Sequence, residues 1–425
     1  MSKDTLFTMQ TVPLKFGWGA TREVGADAKA LGIRRCLLLT DTRLKTLGLA
    51  DNVAGILRKA GVDTEIYDRV RCEPNDASWI EAASAARAGG YDGYVALGGG
   101  SVMDTAKAVN LLVTYPADLL DYINPPIGLG KPVPGPLEPL IAIPTTAGTA
   151  SETTPTAILD VTSVGVKSGV SHRHLRPTLA INDPENTLTL PPMVTASTGL
   201  DVLCHAIESF VMLPYDQREA PASPADRKPY CGSNPISDVW CRAALKLVIG
   251  YIERAVANGG DREARFQMLL ASTMAGYGFG NAGVHIPHAM SYPIASRVRD
   301  YVAPDYDSDH PLVPHGISVV LGAPAAFRFT GATMQSRHLD AAAMIGCDTT
   351  NASPEEGGEL IARRFIALMR KFGLPNGLSG VGYTETDLPA LVQGAMKQQR
   401  ILVLSPRPIT EADMNNIFRA AMRYW

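Results

Sequence analysis

The first half of the chain alternates short apolar runs with segments of helical periodicity, and this alternation limits the fold more than any other feature. Five runs read as strands, the first of them buried: "RRCLLLTDT", "DTEIYDRV", "GYVALGGGS", "PLIAIPTTAGTAS" and "PTLAINDP". Helical patterns separate the first three, among them residues 76–88, and another helix begins near Ser101. Strands that alternate with helices predict a parallel sheet with helices on both faces, which is an α/β domain.

The character of the sequence changes after "DPENTLTLPP", where the strand patterns end. Helical periodicity rich in Ala, Leu and Met then continues to the last residue. We therefore predict an α/β domain over residues 1–190 and an all-helical domain over residues 191–425. The stretch "LPYDQREAPASPADRKPYCGSNPISD", residues 213–238, interrupts the second domain, and its prolines predict a long loop.

Composition excludes several classes of protein. The net charge of −3 and the absence of a basic cluster give no field that would attract nucleic acid or an anionic membrane. No apolar run is long enough to span a bilayer. Six scattered cysteines without a CxxC pair indicate a reducing compartment, and no targeting signal is visible in the first twenty residues. From these features we predict a cytoplasmic protein, and from base rates a homodimer.

A glycine-rich turn lies between the third strand and the helix that follows it. The segment "ALGGGSVMDTAKAV" places Gly98, Gly99 and Gly100 there. Glycines let the backbone approach a ligand closely, and a helix start offers N–H groups and the positive end of its dipole to an anion. The turn predicts phosphate or pyrophosphate binding in a Rossmann-like domain, although it lacks the GxGxxG pattern. A tight turn without a ligand is the alternative.

Polar residues end two other strands of the predicted sheet. Asp41 follows the first strand, where it would accept hydrogen bonds from a ribose hydroxyl or, alternatively, cap the next helix. Thr145, Thr146, Thr149 and Ser151 follow another strand in "IPTTAGTASETT". Because the carboxyl ends of parallel strands meet at one edge, these groups are expected beside the glycine turn. A hydroxyl-rich turn is the simpler reading of the threonine segment.

Polar groups also occur on a helix that is otherwise suited to a protein interior. The segment "STGLDVLCHAIESFV" carries Asp201 and His205 four residues apart, so both lie on one face, and Glu208 lies near that face one turn on. Taken by themselves, Asp201 and His205 are explained more simply by an internal ion pair than by a metal site. We expect Glu208 to support a neighbouring side chain rather than to bind a metal ion itself.

Two later segments add histidines to this pair. "GVHIPHAMSYP" contains His285 and His288, and "HPLVPHGISVV" contains His310 and His315. One histidine from each segment, with Asp201 and His205, would give three imidazoles and a carboxylate, a set that suits Fe(II) or Zn(II). Spacing does not settle which histidine of each pair takes part.

Six segments in order, spread over nearly the whole chain, now carry a family resemblance: "GGGSVMDTAKAV", "IPTTAGTASE", "DPENTLTLPP", "TGLDVLCHAIES", "HAMSYP" and "PHGISV". The chain resembles the iron-containing (group III) alcohol dehydrogenases, whose fold is shared with glycerol dehydrogenases and dehydroquinate synthase. The resemblance implies the metal ligands Asp201, His205, His288 and His315. It implies cofactor contacts at Asp41, Gly99, Gly100, Ser101, Asp104, Thr145, Thr146, Thr149 and Lys167.

Within that family the chain is most similar to the hydroxyacid–oxoacid transhydrogenases, through "RKPYCGSNPISDVW", "GVHIPHAMSYPIASRV" and "DYDSDHPLVPHGISVVLGAPAAFRFT". This similarity implies that 4-hydroxybutyrate gives a hydride to 2-oxoglutarate through a nicotinamide cofactor. The metal would lower the pKa of the substrate hydroxyl. Tyr292 stands where many alcohol dehydrogenases have a further histidine. Arg297, Arg299 and Arg328 are candidate anchors for a substrate carboxylate.

Other members of the fold offer alternative functions. An NAD(P)-dependent alcohol dehydrogenase or a maleylacetate reductase would release its reduced cofactor, and a lyase of the dehydroquinate synthase type would use NAD only transiently. For the cofactor we expect NAD rather than NADP, because the carboxylate of Asp41 would repel a 2′-phosphate. Imidazole suits both iron and zinc, so the sequence leaves the metal open.

Overall fold

The computed structural model, which describes residues 3–306, 308 and 310–425 apart from the side chain of Ala225, divides the chain between Leu190 and Pro191. Thr11–Leu190 form one compact unit, called here the sheet unit. Pro191–Trp425 form the helical unit together with the described residues up to Gln10. That first segment belongs there because Asp4 pairs with Arg227 and the backbone N–H of Gln10 donates to Asn281.

The sheet unit contains eight strands among its residues: β1 (Leu14–Phe16), β2 (Arg35–Leu39), β3 (Asp63–Tyr67), β4 (Gly93–Gly98), β5 (Leu140–Pro144), β6 (Thr156–Val161), β7 (Val166–Ser171) and β8 (Leu179–Asn182). Six of them form a wholly parallel sheet in the order β1-β8-β5-β4-β2-β3. The five predicted strands are β2, β3, β4, β5 and β8, so the predicted α/β class is confirmed. The antiparallel pair β6–β7 and the short edge strand β1 were not predicted.

The central strands are apolar throughout because both faces of the sheet are covered. In β4, Tyr94 and Ala96 belong to one buried cluster, while Val95 and Leu97 belong to another. Successive side chains of a strand point to opposite faces, so these clusters are the two cores of a doubly covered sheet. The helices of this unit are α1 (Val24–Ala30), α2 (Thr42–Thr46), α3 (Leu49–Lys59), α4 (Asp76–Arg87), α5 (Gly100–Thr114) and α6 (Leu119–Tyr122).

The helical unit, as predicted, has helices in place of a sheet: in its described residues the only β structure is isolated bridges. Its helices are α7 (Pro192–Val211), α8 (Pro235–Ala257), α9 (Arg262–Ala282), α10 (Ile286–Ser296), α11 (His315–Thr330), α12 (Gln335–Met344), α13 (Gly357–Lys371), α14 (Leu388–Met396), α15 (Gln399–Leu402) and α16 (Glu411–Ala420). In the described part of the chain, none of the helices combines the length and apolarity needed to cross a bilayer.

The predicted loop at 213–238 is mostly irregular, with two short 3-10 turns. Its last four residues instead begin α8. Asn234 accepts a hydrogen bond from the backbone N–H of Ser237, and Pro235 occupies the first helical position, where its missing N–H removes no hydrogen bond. The loop therefore ends at Asn234.

Candidate functional site

Helix α7 carries the first two candidate metal ligands on a face that is turned away from solvent. Asp201 and His205 lie one turn apart and are 1% and 3% exposed. The ring of Phe279, from α9, stacks on the His205 imidazole with centroids 3.9 Å apart and planes 5° from parallel. This contact fixes the plane of the imidazole.

Helices α10 and α11 supply the other two candidates. His288 lies in the first turn of α10, and His315 is the first residue of α11. Gly316 explains how α11 comes so near to α7, because a Cβ at this position would lie 2.3 Å from the carbonyl oxygen of Ser197. The glycine therefore permits the close approach that places His315 beside Asp201.

The four side chains converge on one point. The Nε2 atoms of His205, His288 and His315 lie 3.8, 3.6 and 3.8 Å from Oδ1 of Asp201. One ligand atom from each residue falls within 4.8 Å of all the others. Separations of this size leave room for one ion at the centre of the cluster.

The two remaining histidines of these segments are engaged elsewhere. Nδ1 of His285 accepts a hydrogen bond from the backbone N–H of Ile286, which caps α10. His310 lies beside Ser308, with Nδ1 and Oγ 3.2 Å apart. The structure thus brings together the four residues implied by the family resemblance, and it places His285 and His310 outside that group.

The donor atoms of the cluster fit a divalent metal ion. Oδ1 of Asp201 and Nε2 of His288 are buried, and neither has a hydrogen-bond partner among the described residues. Leaving such a polar atom unsatisfied costs about 1–3 kcal/mol. A cation coordinated by one carboxylate oxygen and three imidazole nitrogens would satisfy all four groups, and this donor set suits Fe(II) or Zn(II).

The electrostatics of the cluster also favour a cation. Burial lowers the pKa of His205 to about 3, so its imidazole is neutral and offers a lone pair. Burial would lower the pKa of His288 too, but the carboxylates of Glu208 and Asp201 outweigh it and raise that pKa to about 9. A positive charge is therefore stabilised at this point, and a metal ion would supply it.

Glu208 uses both carboxylate oxygens to position the His288 segment. Oε1 lies 2.6 Å from Nδ1 of His288, and Oε2 accepts from the backbone N–H of His285 at 2.7 Å. Burial would raise the pKa of Glu208, but His288 outweighs it and the pKa falls below its usual value. Because a carboxylate only accepts, Nδ1 carries a hydrogen, so Nε2, which faces Asp201, is the nitrogen that would bind a metal ion.

In the sheet unit, the glycine turn joins β4 to α5. Gly98 ends the strand, Gly99 is the N-cap residue and Gly100 begins the helix. No side chain caps this helix start, so no capping side chain would compete with an anion for its N–H groups. A Cβ at Gly99 would lie 3.3 Å from Thr146, and one at Gly100 would lie 2.7 Å from Oγ1 of Thr149.

Two predicted cofactor side chains at this edge make hydrogen bonds within the sheet unit. Oδ1 of Asp41 accepts from the backbone N–H of Leu44 at 2.9 Å and caps α2. Oγ of Ser101 accepts from the backbone N–H of Glu73 at 3.0 Å. In the structure Asp41 therefore caps α2, which was the alternative interpretation of this residue.

Two further predicted contacts are bonded more completely. Asp104 accepts from the hydroxyl of Ser151 at 2.5 Å and from the backbone N–H of Ile158 at 2.9 Å. Lys167 forms an ion pair with Glu73. These contacts hold the start of α5 to the β6–β7 hairpin, so the residues stabilise the turn whether or not they also touch a cofactor.

Sequence reasoning missed a residue that supports the same turn. Lys107, one turn after Asp104, is fully buried and donates to the carbonyl oxygens of Ser151 and Thr156, at 2.7 and 2.8 Å. The signal for it was a lysine on an otherwise apolar helix face, since a lysine is buried only where its charge is paired or hydrogen-bonded.

The three predicted carboxylate anchors have other surroundings. Arg299 pairs with Asp387 at 2.8 Å, and Arg328 pairs with Glu359 at 2.6 Å. Their side chains are 53% and 37% exposed, as expected of surface ion pairs. Nε of Arg297 is buried without a hydrogen-bond partner in the described chain, and its position follows the end of α10.

The known proteins that this chain resembles are oxidoreductases of a family named for its iron. A family model described as "Iron-containing alcohol dehydrogenase" matches residues 13–184, and "Fe-containing alcohol dehydrogenase family, C-terminal" matches residues 230–422. A relative from Xenopus tropicalis, named hydroxyacid-oxoacid transhydrogenase, mitochondrial, is 48% identical over 99% of this chain and 91% of its own length.

Two solved structures share the fold. A 1,3-propanediol oxidoreductase has a TM-score of 0.85 and 28% identity, covering 98% of this chain and 100% of its own. A sulfoacetaldehyde reductase from Bifidobacterium kashiwanohense, in complex with NAD+, has a TM-score of 0.80 and 27% identity, with 99% of both chains covered. The chain belongs to the iron-containing alcohol dehydrogenase family, and it is an oxidoreductase that acts on small molecules.

The predicted cytoplasmic location is wrong. Curated relatives, including the one from Xenopus tropicalis, are named as mitochondrial proteins, which points away from the cytoplasm. The prediction relied on six cysteines that are all free in the structure. Free cysteines indicate only a reducing environment, and more than one compartment is reducing. The folded core carries no targeting information, so it could not identify the compartment either.

Proposed function

We propose that the chain is a hydroxyacid–oxoacid transhydrogenase. In this reaction 4-hydroxybutyrate loses a hydride and a proton to give succinic semialdehyde, and 2-oxoglutarate gains them to give 2-hydroxyglutarate. A nicotinamide cofactor carries the hydride between the two half-reactions. The observation that carries the proposal is the meeting of three histidine Nε2 atoms within 3.8 Å of the Asp201 carboxylate, in a chain 48% identical to a protein of that name.

The four clustered residues would hold the metal, with iron favoured by the family and zinc suited to the same donors. When bound, the ion would act as a Lewis acid towards the substrate oxygen. Asp201 contributes the negative charge, while neutral His205 contributes a lone pair. Glu208 keeps the proton of His288 on Nδ1, away from the cluster. His315 is the least buried of the four, so its side of the cluster is the open approach for substrate.

The sheet unit would hold NAD. Gly99, Gly100 and the N-terminus of α5 suit the pyrophosphate, and the threonines at 145, 146 and 149 lie at the same strand edge. Asp41 caps α2 through one oxygen, and its charge disfavours the 2′-phosphate of NADP. A structural neighbour in complex with NAD+ supports this choice. The predicted homodimer stays a prediction, which light scattering would test.

A competing proposal is a dehydrogenase or reductase that releases its reduced cofactor; one structural neighbour is named a sulfoacetaldehyde reductase. The two functions separate in one assay with metal-loaded protein. If the protein is a transhydrogenase, it should form 2-hydroxyglutarate from 4-hydroxybutyrate and 2-oxoglutarate when the cofactor concentration does not exceed the protein concentration. Steady release of NADH from 4-hydroxybutyrate and NAD alone, at an equal or greater rate, would instead support the dehydrogenase.

A further inference from the structure

An arginine is hydrogen-bonded to a tyrosine that lies one helical turn beyond a candidate metal ligand. Tyr292 follows His288 by four residues in α10, so the two side chains share a face of that helix. The Tyr292 hydroxyl is the acceptor for Nη2 of Arg400 at 2.6 Å, and the guanidinium carbon lies 5.9 Å from the tyrosine ring centre. The face of α10 that carries His288 therefore continues to a guanidinium group.

A second tyrosine approaches Arg400 from another segment. Tyr230, in the loop that precedes α8, places its side chain near the same guanidinium. It packs on Gly283, three residues before α10, where an added Cβ would lie 3.3 Å from that of Tyr230. Three separate segments, namely the loop, α10 and α15, thus meet at Arg400.

The charge of Arg400 has no acidic partner in the described part of the chain. Arg299 and Arg328 each pair with a carboxylate, but the side chains beside Arg400 are two neutral tyrosines. The side chain is partly buried, and a cation withdrawn from water without a counter-charge is unfavourable. A guanidinium carries five N–H donors in a planar fork, so donors remain for an anion, and a carboxylate matches that fork.

We infer that Arg400, held by Tyr292 beside Tyr230, binds the carboxylate of both substrates; this assignment rests on the proposed function. In 4-hydroxybutyrate the reacting carbon is two methylenes from a carboxylate. In 2-oxoglutarate the ketone carbon is also two methylenes from a carboxylate. One anchor therefore places either substrate with its reacting oxygen at the metal cluster. Four residues of α-helix rise about 6 Å, which is the axial step from His288 to Tyr292, the residue that holds the anchor.

The test compares a charged substrate with an uncharged one. In Arg400→Gln, kcat/KM for 4-hydroxybutyrate should fall about 10- to 100-fold, mainly through KM, because a charge-assisted contact is lost. The value for 1-butanol, which has a methyl group in place of the carboxylate, should change little. Arg400→Lys should recover part of the loss. Arg299→Gln, at an exposed surface pair, is the matched control and should leave both substrates unaffected.

Folding is checked separately through metal content and the 1-butanol rate. If Arg400→Gln does not fold, Tyr292→Phe serves instead: it keeps the ring, releases the guanidinium and should lower the preference for 4-hydroxybutyrate over 1-butanol. Equal losses on both substrates, or no loss on either, would overturn the assignment while the wild-type transhydrogenation stands. A wild-type protein without transhydrogenation would overturn the proposed function itself.

Discussion

The two candidate binding regions of this protein differ in which atoms would contact a ligand: side chains in one region and backbone in the other. In the helical unit, side chains form the site: a carboxylate and three imidazoles converge, and three of their atoms are buried without partners among the described residues. In the sheet unit, Asp41, Asp104 and Lys167 already bond to their own surroundings. What that unit offers a ligand is the backbone of a glycine turn and the start of a helix. Side-chain substitutions should therefore act strongly in the first region and weakly in the second.

The largest effect should come from His205→Ala. It removes one of four donors, and because the metal supplies several kcal/mol of transition-state stabilisation, turnover should fall by about 10³-fold or more with loss of bound metal. NAD affinity should stay within about threefold, since the sheet unit is untouched. Metal analysis and calorimetric titration of NAD measure the two effects.

The control for that variant is His310→Ala, which removes a histidine outside the cluster and should retain metal and activity. Normal metal content and rate in His205→Ala would show that the cluster is an internal ion pair rather than a metal centre.

Glu208→Gln should come next in size. The amide keeps the shape of the side chain but removes the charge that fixes the His288 tautomer, and loss of such a partner costs about 10- to 100-fold in metal affinity. Competition with a chelator measures this affinity. An unchanged affinity would mean that Glu208 only supports the backbone at His285.

Gly100→Ala tests the sheet unit through its backbone. The new Cβ would lie 2.7 Å from Oγ1 of Thr149, so the turn must shift, and NAD affinity should fall about tenfold while metal content stays the same. Gly250→Ala is the matched control, because that glycine lies on an exposed part of α8 with nothing within 4 Å. Equal NAD affinity in both variants would argue against a phosphate site at the turn.

The smallest effects concern Asp41. Asp41→Ala should lower the free energy of unfolding by about 1 kcal/mol, because α2 loses its N-cap, whereas Asp41→Asn should keep the cap. If the carboxylate also excludes NADP, Asp41→Asn should raise the ratio of NADP to NAD use without loss of stability. Urea denaturation and the two kcat/KM values separate capping from recognition. A ratio that does not move would leave Asp41 with capping alone.

The sequence predicted the sheet well where burial leaves a strong signal. Strands such as β4 are continuous apolar runs because both faces are covered, and each of the five predicted segments proved to contain a strand of the sheet. Strand β1 was missed because it has three residues, Leu14–Phe16, with a lysine in the middle at a sheet edge. The hairpin was missed because "TAILDV" and "VKSGVS" mix polar and apolar residues without a run of that kind.

The residue types of the candidate metal ligands could be predicted from local spacing, but the particular histidines could not. Helical spacing paired Asp201 with His205, yet choosing among the four later histidines needs the packing of α10 and α11 on α7, as at Gly316. Arg400 could not be found at all, since nothing local distinguishes it from the surface arginines. Its partners come from segments more than a hundred residues away, and only the fold brings them together.

The most direct test follows deuterium from 4-hydroxybutyrate labelled at C4. Our account predicts that the metal-loaded protein makes 2-hydroxyglutarate with deuterium at C2, that metal-stripped protein makes none, and that Fe(II) or Zn(II) restores the transfer. Transfer at the same rate after the metal is removed, or a product whose C2 hydrogen comes from water, would contradict it.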